Sequence, residues 1–274
     1  MVFKRMISAF GADAPSMDTI LATPRTQPGG TLAGEVRLKG GDVDAGLEGV
    51  ALVLVARVEP AQAGAGEQSG FEEFLHAQIS GPSLLRRGEE RVIGFQIMVP
   101  WETPISEIGG RHLTGPALGV RTEVAGATAV EQGDLDMVVV KPAPSQLRVL
   151  QAFPQLGFYF KGTVLEMGRL NGVHQDLPFY QRIEFYPPYH HAGAVHEVEL
   201  AFVSSRSGLA VVLKADQHSA RHPSGGAIGR FEMSHEEALH TDWPSEVDRW
   251  LMGLTHARGQ QHEQQHRGEP GYGR

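Results

Sequence analysis

The sequence predicts an all-β protein built from two tandem β-sandwich domains. Apolar and polar residues alternate with period two through most of the chain, and the alternating segments are separated by Gly, Pro and Asp, which suit turns. Helical spacing is nearly absent from the first half. A sheet with one apolar face must bury it against a second sheet, so short strands with regular turns point to sandwiches; a single large barrel is the structural alternative.

In residues 31–39, Leu32, Val36 and Leu38 alternate with Glu35, Arg37 and Lys39, giving one face to the core and one to water. Residues 50–58 are nearly all apolar and rich in Val, which predicts a central strand covered on both faces. Ile93, Phe95, Ile97 and Val99 form a further alternating set, as do Leu118, Val120, Thr122 and Val124, and 135–140 make a last strand. Pro142 and Pro144 cannot continue a ladder, so the domain boundary falls there: 1–142 and 143–254, with a tail at 255–274. Ser145 is placed to cap a short interdomain helix carrying Leu147, Leu150 and Phe153 until Pro154 ends it. Strands resume at 183–186, 197–203 and 209–216, with Val198, Leu200 and Phe202 facing inward. Val247, Trp250, Leu251 and Leu254 recur at helical spacing behind Asp242 and Pro244, which predicts a short C-terminal helix. Residues 256–274 hold almost nothing apolar and read as disordered.

Composition narrows the function. A net charge of −8 over 274 residues argues against nucleic acid as the main partner. The absence of cysteine excludes disulfides, thiolate metal sites and thiol nucleophiles, and favours the cytoplasm. No apolar run is long enough to span a bilayer. Lys4 and Arg5 precede an apolar stretch too short and broken for a signal peptide. Val2, Phe3, Met6, Ile7 and Phe10 gather on one helical face, so residues 1–11 either dock back on the sandwich or touch a membrane surface weakly.

Several segments occur in a telling order: Val2-Phe3-Lys4-Arg5, Pro28-Gly29-Gly30, Gly34-Glu35-Val36, Lys39-Gly40-Gly41-Asp42-Val43 and Pro100-Trp101-Glu102-Thr103-Pro104-Ile105. After them come Leu156-Gly157-Phe158, Leu177-Pro178-Phe179-Tyr180-Gln181, Ile183-Glu184-Phe185, Glu197-Val198-Glu199-Leu200 and Val212-Leu213-Lys214-Ala215-Asp216. In this order and spacing they resemble the bacterial sporulation-control protein family. The resemblance implies two arrestin-like (immunoglobulin-like) β-sandwich domains and a regulator of development or stress acting through protein contacts, with no known cofactor. It carries over no catalytic, cofactor-binding or metal-binding residue, and it names no partner. The loop at 61–70 and the histidine-bearing tail depart from the family pattern.

Motifs that imitate chemistry are weighed by their setting. His262-Glu263-Gln264-Gln265-His266 spells H-E-x-x-H, two imidazoles for zinc with a glutamate base, but its flanks supply no apolar helix face and no third ligand. His235 and His240 lie five residues apart, about 140° around a helix, so they cannot share a metal. His190-His191, beside Pro187-Pro188-Tyr189, could join His174 or His196 at a metal, although adjacent loop histidines are usually solvated. Gly64-Ala65-Gly66 lacks the rest of a phosphate loop, and Ser204-Ser205-Arg206-Ser207-Gly208 lacks the nucleophile-elbow spacing and reads as a turn. Asp134 with Asp136, and Glu197 with Glu199, share strand faces that read as solvated. Phe158, Tyr159 and Phe160 suggest a sugar platform, but consecutive strand residues face opposite ways.

The expected function is therefore a non-enzymatic adaptor that presents strand edges to protein partners, with neither metal nor cofactor. Exposed edges would also allow a homodimer. The alternatives are a carbohydrate- or ligand-binding sandwich and a histidine-based metal-dependent hydrolase.

Overall fold

A computed structural model describes residues 15–59, 70–126, 130–191, 195–216 and 227–266. The amphipathic stretch at 1–11, Gly64-Ala65-Gly66, residues 217–226 and residues 267–274 lie outside the described residues. The chain divides into two compact units. One takes the chain to Ala143 with Thr163–Gln181 and Ser204–Arg206; the other takes Pro144–Gly162, Arg182–Val203 and the chain from Ser207.

The first unit runs through β1 (Ser16–Leu21), β2 (Arg25–Thr26), β3 (Thr31–Lys39), β4 (Ala45–Val58), β5 (Gly70–Ser80), β6 (Ser83–Leu85), β7 (Glu90–Met98), β8 (Glu107–Ile108), β9 (Arg111–His112), β10 (Leu118–Gly126), β11 (Val130–Met137) and β12 (Val139–Val140). An antiparallel sheet β1-β3-β7 faces a second sheet ordered β11-β10-β4-β5, in which β6 also pairs with β4. Thr19 of the first sheet and Thr122 of the second join their hydroxyls at 2.6 Å. The alternation in β3 works as predicted: Leu32, Val36 and Leu38 are buried, while Arg37 and Glu35 pair on the other face. β4 is buried almost throughout and lies between β10 and β5, because a strand covered on both faces needs apolar residues at odd and even positions alike.

The predicted strand at 135–140 breaks at Val138. β11 stays on β10, whereas β12 turns away to pair in parallel with β2, Val139 opposite Arg25. Isolated pairings of this length have no sequence period to announce them.

The remaining elements are α1 (Pro144–Gln155), β13 (Tyr159–Met167), β14 (Phe179–Tyr186), β15 (Glu197–Ser204), β16 (Gly208–Asp216), β17 (Ala227–Ser234), α2 (His235–His240) and α3 (Trp243–His266). The five strands form one sheet in sequence order. Three expectations change here. Ser145 does not cap α1: the helix opens on Pro144, whose missing N–H costs nothing in a first turn, and Ser145 is buried with its hydroxyl 2.8 Å from Nδ1 of His235. Pro154 does not end it either. Phe158 N–H donates to the Phe153 carbonyl and Gly157 N–H to Pro154, a Schellman closure in which Gly157 takes φ +83. In β15 the alternation slips after Leu200, so Ala201 is buried and Phe202 is half-exposed.

Phe153 is fully buried, stacked on Phe185 with ring centres 4.2 Å apart and met edge-on by Phe158. α1 packs on α2 and α3, and the buried Trp243 donates its indole N–H to the Ala238 carbonyl at 2.8 Å. Asp242 caps α3 by accepting from Ser245 N and Oγ, which holds its carboxyl below the usual 3.8. α3 continues to His266, through residues whose composition predicts a disordered tail. Gln, Glu, Ala, Arg and His tolerate helical backbone without burial, so a helix nucleated by packed turns can extend into them.

Candidate functional site

The motif residues of the first unit prove to be pins. Glu102 accepts from the backbone N–H groups of Asp176 and Leu177 at 2.8 and 2.9 Å. Gln181, buried, accepts from Ile105 N at 2.8 Å and donates to Ile105 O at 2.7 Å. Gln175, also buried, donates to the carbonyls of Gly168, Leu177 and Phe179 and accepts from Leu170 N, so one side chain closes the loop before β14. Trp101 lies against Gly29, where φ is +69 and a Cβ would overlap the indole. Glu102, Gln175 and Gln181 spend these bonds mainly on backbone groups, which suits them to fixing loops.

In the second unit the turn at 187–191 brings two imidazoles together. His191 N–H donates to the Pro188 carbonyl at 2.9 Å, closing a tight turn, and the rings of His190 and His191 lie 4.2 Å apart at 50°. Asp248 comes to them from α3. Val247 and Leu251 bury that helix's apolar face, and Asp248, one residue on from Val247, stands at its flank about 100° around the axis. His191 Nε2 and Asp248 Oδ1 are 3.5 Å apart, with side chains 9% and 29% exposed. One ligand atom from each of His190, His191 and Asp248 lies within 4.8 Å of the other two. The histidines proposed as partners from sequence are not in this cluster: His174 is exposed beside Asp176, and His196 is exposed at the start of β15. Asp248 escaped the sequence reading because only the fold brings α3 to this turn.

A second feature is an aromatic margin. β13 is an outer strand of its sheet, and residues 159–161 are exposed on both faces. Tyr159 is 72% exposed and Tyr189 96%, with Phe160, edge-on to Phe185, and Tyr186 about half-exposed. Phe158 is buried against Phe153, so the triplet does not form a platform of three rings. Lys161 bonds to Glu197 and Glu184, which raises its pKa, and lies 5.9 Å from the Tyr186 ring centre.

The other candidates find bland settings. Asp134 and Asp136 line an open cleft of about 360 Å³ with Asp18. Glu197 and Glu199 are each taken by a lysine, Lys161 and Lys214 respectively. Ser204 is buried at the end of β15, and the chain turns after it into β16. His235 opens α2 with Ser145 as its partner, whereas His240 closes that helix in solvent. The backbone of His262 to His266 is helical; the ligating side chains there lie outside those described. Among the described residues, no helix is long and apolar enough to cross a membrane.

The family model described as SpoOM protein matches residues 3–219. The chain is similar to the crystal structure of Spo0M, a sporulation control protein from Bacillus subtilis, with a TM-score of 0.75 and 23% identity over 88% of this chain and 99% of that chain. At that identity the likeness speaks for the fold, all-β and arrestin-like. A β-glucosidase from Listeria innocua, in complexes with isofagomine and with gluconolactone, matches 47% of this chain and 16% of that one at TM-scores of 0.26 and 0.28 and 17% and 18% identity, too low to carry an argument. No curated protein matches the chain.

Proposed function

Because this chain belongs to the SpoOM protein family, we propose that it is a regulatory adaptor of the sporulation-control type, working in bacterial development by holding other proteins and without chemistry of its own. The observation that carries the reading is the aromatic margin of the second unit. β13 is an outer strand whose later residues already bond to Glu59, through Leu165 O and Met167 N. What it can offer an incoming strand is its start at Tyr159 and Phe160, where exposed rings add contact area at low entropic cost. Tyr159 and Phe160 begin β13, Tyr186 ends its neighbour β14 and Tyr189 follows in the next turn, all four exposed. Glu102, Gln175 and Gln181 of the motif segments and their neighbours are spent on loop backbone.

The test is photo-crosslinking in the native cell. A photoreactive phenylalanine at Tyr159 or Tyr186 should capture one reproducible protein. The same residue at Val43, exposed elsewhere, should not. With the photoreactive residue moved to the exposed Tyr189, Tyr159→Ala together with Tyr186→Ala should abolish the capture and reproduce the deletion phenotype. Equal labelling at Val43 would overturn the reading, as would a small molecule copurifying stoichiometrically. Glycan binding lost in the same double variant would transfer this surface to a carbohydrate ligand.

A further inference from the structure

We propose that His190, His191 and Asp248 form a binding site for a divalent cation of the zinc class, which ties the 187–191 turn to α3.

The donor set comes first. Two imidazoles and one carboxylate suit zinc and its neighbours, whereas calcium and magnesium take oxygen ligands almost alone. Three protein ligands leave one or more positions for water, which the exposed ring of His190 leaves accessible.

Geometry supports the same conclusion. Neighbouring residues of a strand point to opposite faces, so a His-His pair normally cannot share a ligand. Here the turn closed by His191 N–H on Pro188 brings both rings to one side. The 3.5 Å between His191 Nε2 and Asp248 Oδ1 is long for a direct hydrogen bond. It is close to the edge of a zinc tetrahedron, about 3.3 Å for bonds near 2.05 Å. All three ligand atoms lie within 4.8 Å, so modest side-chain rotation would close the triangle.

The site is also supported from behind. α3 is fixed by buried Trp243, Val247 and Leu251, and His191 is itself nearly buried. Two of the three ligands are thus held before a cation arrives, which lowers the ordering cost of binding. An ion pair between His191 and Asp248 is the competing account, and it requires nothing of His190.

The experiment uses the full chain with His262→Gln and His266→Gln, so that the H-E-x-x-H segment cannot supply imidazoles. Co2+ is titrated at neutral pH and followed by visible absorption, and Zn2+ by calorimetry and thermal unfolding. About one equivalent should bind, and Zn2+ should raise the unfolding midpoint. Asp248→Asn and His191→Asn should each weaken binding by at least the roughly 10- to 100-fold that loss of a supporting group costs a metal site. His190→Gln, at an exposed position where the fold is not at stake, should weaken it comparably. Affinity unchanged by both His190→Gln and Asp248→Asn overturns the proposal, as does binding that vanishes with the tail histidines. Failure of the parent protein to bind Co2+ overturns it too and leaves an ion pair only.

Discussion

Gln181 forms a closed amide pair with Ile105: its Oε1 accepts from the Ile105 N–H and its Nε2 donates to the Ile105 carbonyl, both across buried space. Nε2 also lies 3.2 Å from Thr163 Oγ1. A peptide group pulled out of water and matched to a side-chain amide is satisfied as if by a neighbouring strand. Replacing Gln181 with Leu keeps the volume and leaves a buried donor and acceptor unmatched. We expect a loss of about 2–4 kcal/mol, read as a lower urea midpoint at unchanged slope.

Glu102 holds the loop before β14 by two backbone N–H groups. Glu102→Ala should speed hydrogen exchange at Asp176 and Leu177 by about tenfold or more, the equivalent of one charge-assisted bond. Amides in β3 and β10 should be unaffected. Exchange unchanged at Asp176 and Leu177 would mean that Gln175 holds the loop by itself.

Gly157, not Pro154, is the terminator of α1. Gly157→Ala must force an L-residue to φ +83 and should cost about 1–2 kcal/mol. Pro154→Ala, at an exposed position, should change stability by less than about 1 kcal/mol. Thermal unfolding of the two variants side by side checks the contrast; the reverse order would restore the proline as the stop signal.

Ser234 and Glu237 form a capping box at the start of α2. The Ser234 N–H, and then its hydroxyl, lower the Glu237 pKa from its ordinary 4.5. A depressed carboxylate contributes stability that is fully present above 4.5 and is lost as pH falls through the folded-state value. Ser234→Ala should therefore destabilise most at neutral pH, with a penalty that shrinks below pH 4.5. The gap between urea midpoints measured from pH 3 to 7 should narrow at the acid end to what loss of the cap on the Glu237 N–H leaves, and a pH-independent gap would assign the whole effect to that N–H.

Much of the architecture was written in period two. β3 begins and ends where its alternation does, and the nearly all-apolar run at 50–58 makes up the C-terminal part of β4. Short or compensated features left no such trace. β12 is two residues paired with two others far away in the chain, and the slip after Leu200 in β15 puts the small Ala201 inside and the larger Phe202 half outside. The end of α1 misled for a different reason: a proline in the last turn removes a hydrogen bond that the Schellman closure does not need.

By itself the sequence determined the fold class, the family and the strands with the clearest alternation, because burial on one face of a sheet imposes a period that is local in the chain. It also marked Glu102 and Gln181 as motif residues without disclosing what they bind. Only the tertiary structure decided that Glu102 and Gln181 hold backbone, and that His190 and His191 meet Asp248. Such pairings depend on where separate elements are brought in space. A turn and a helix whose meeting residues lie far apart in the chain share no period, so nothing in their spacing could announce the contact.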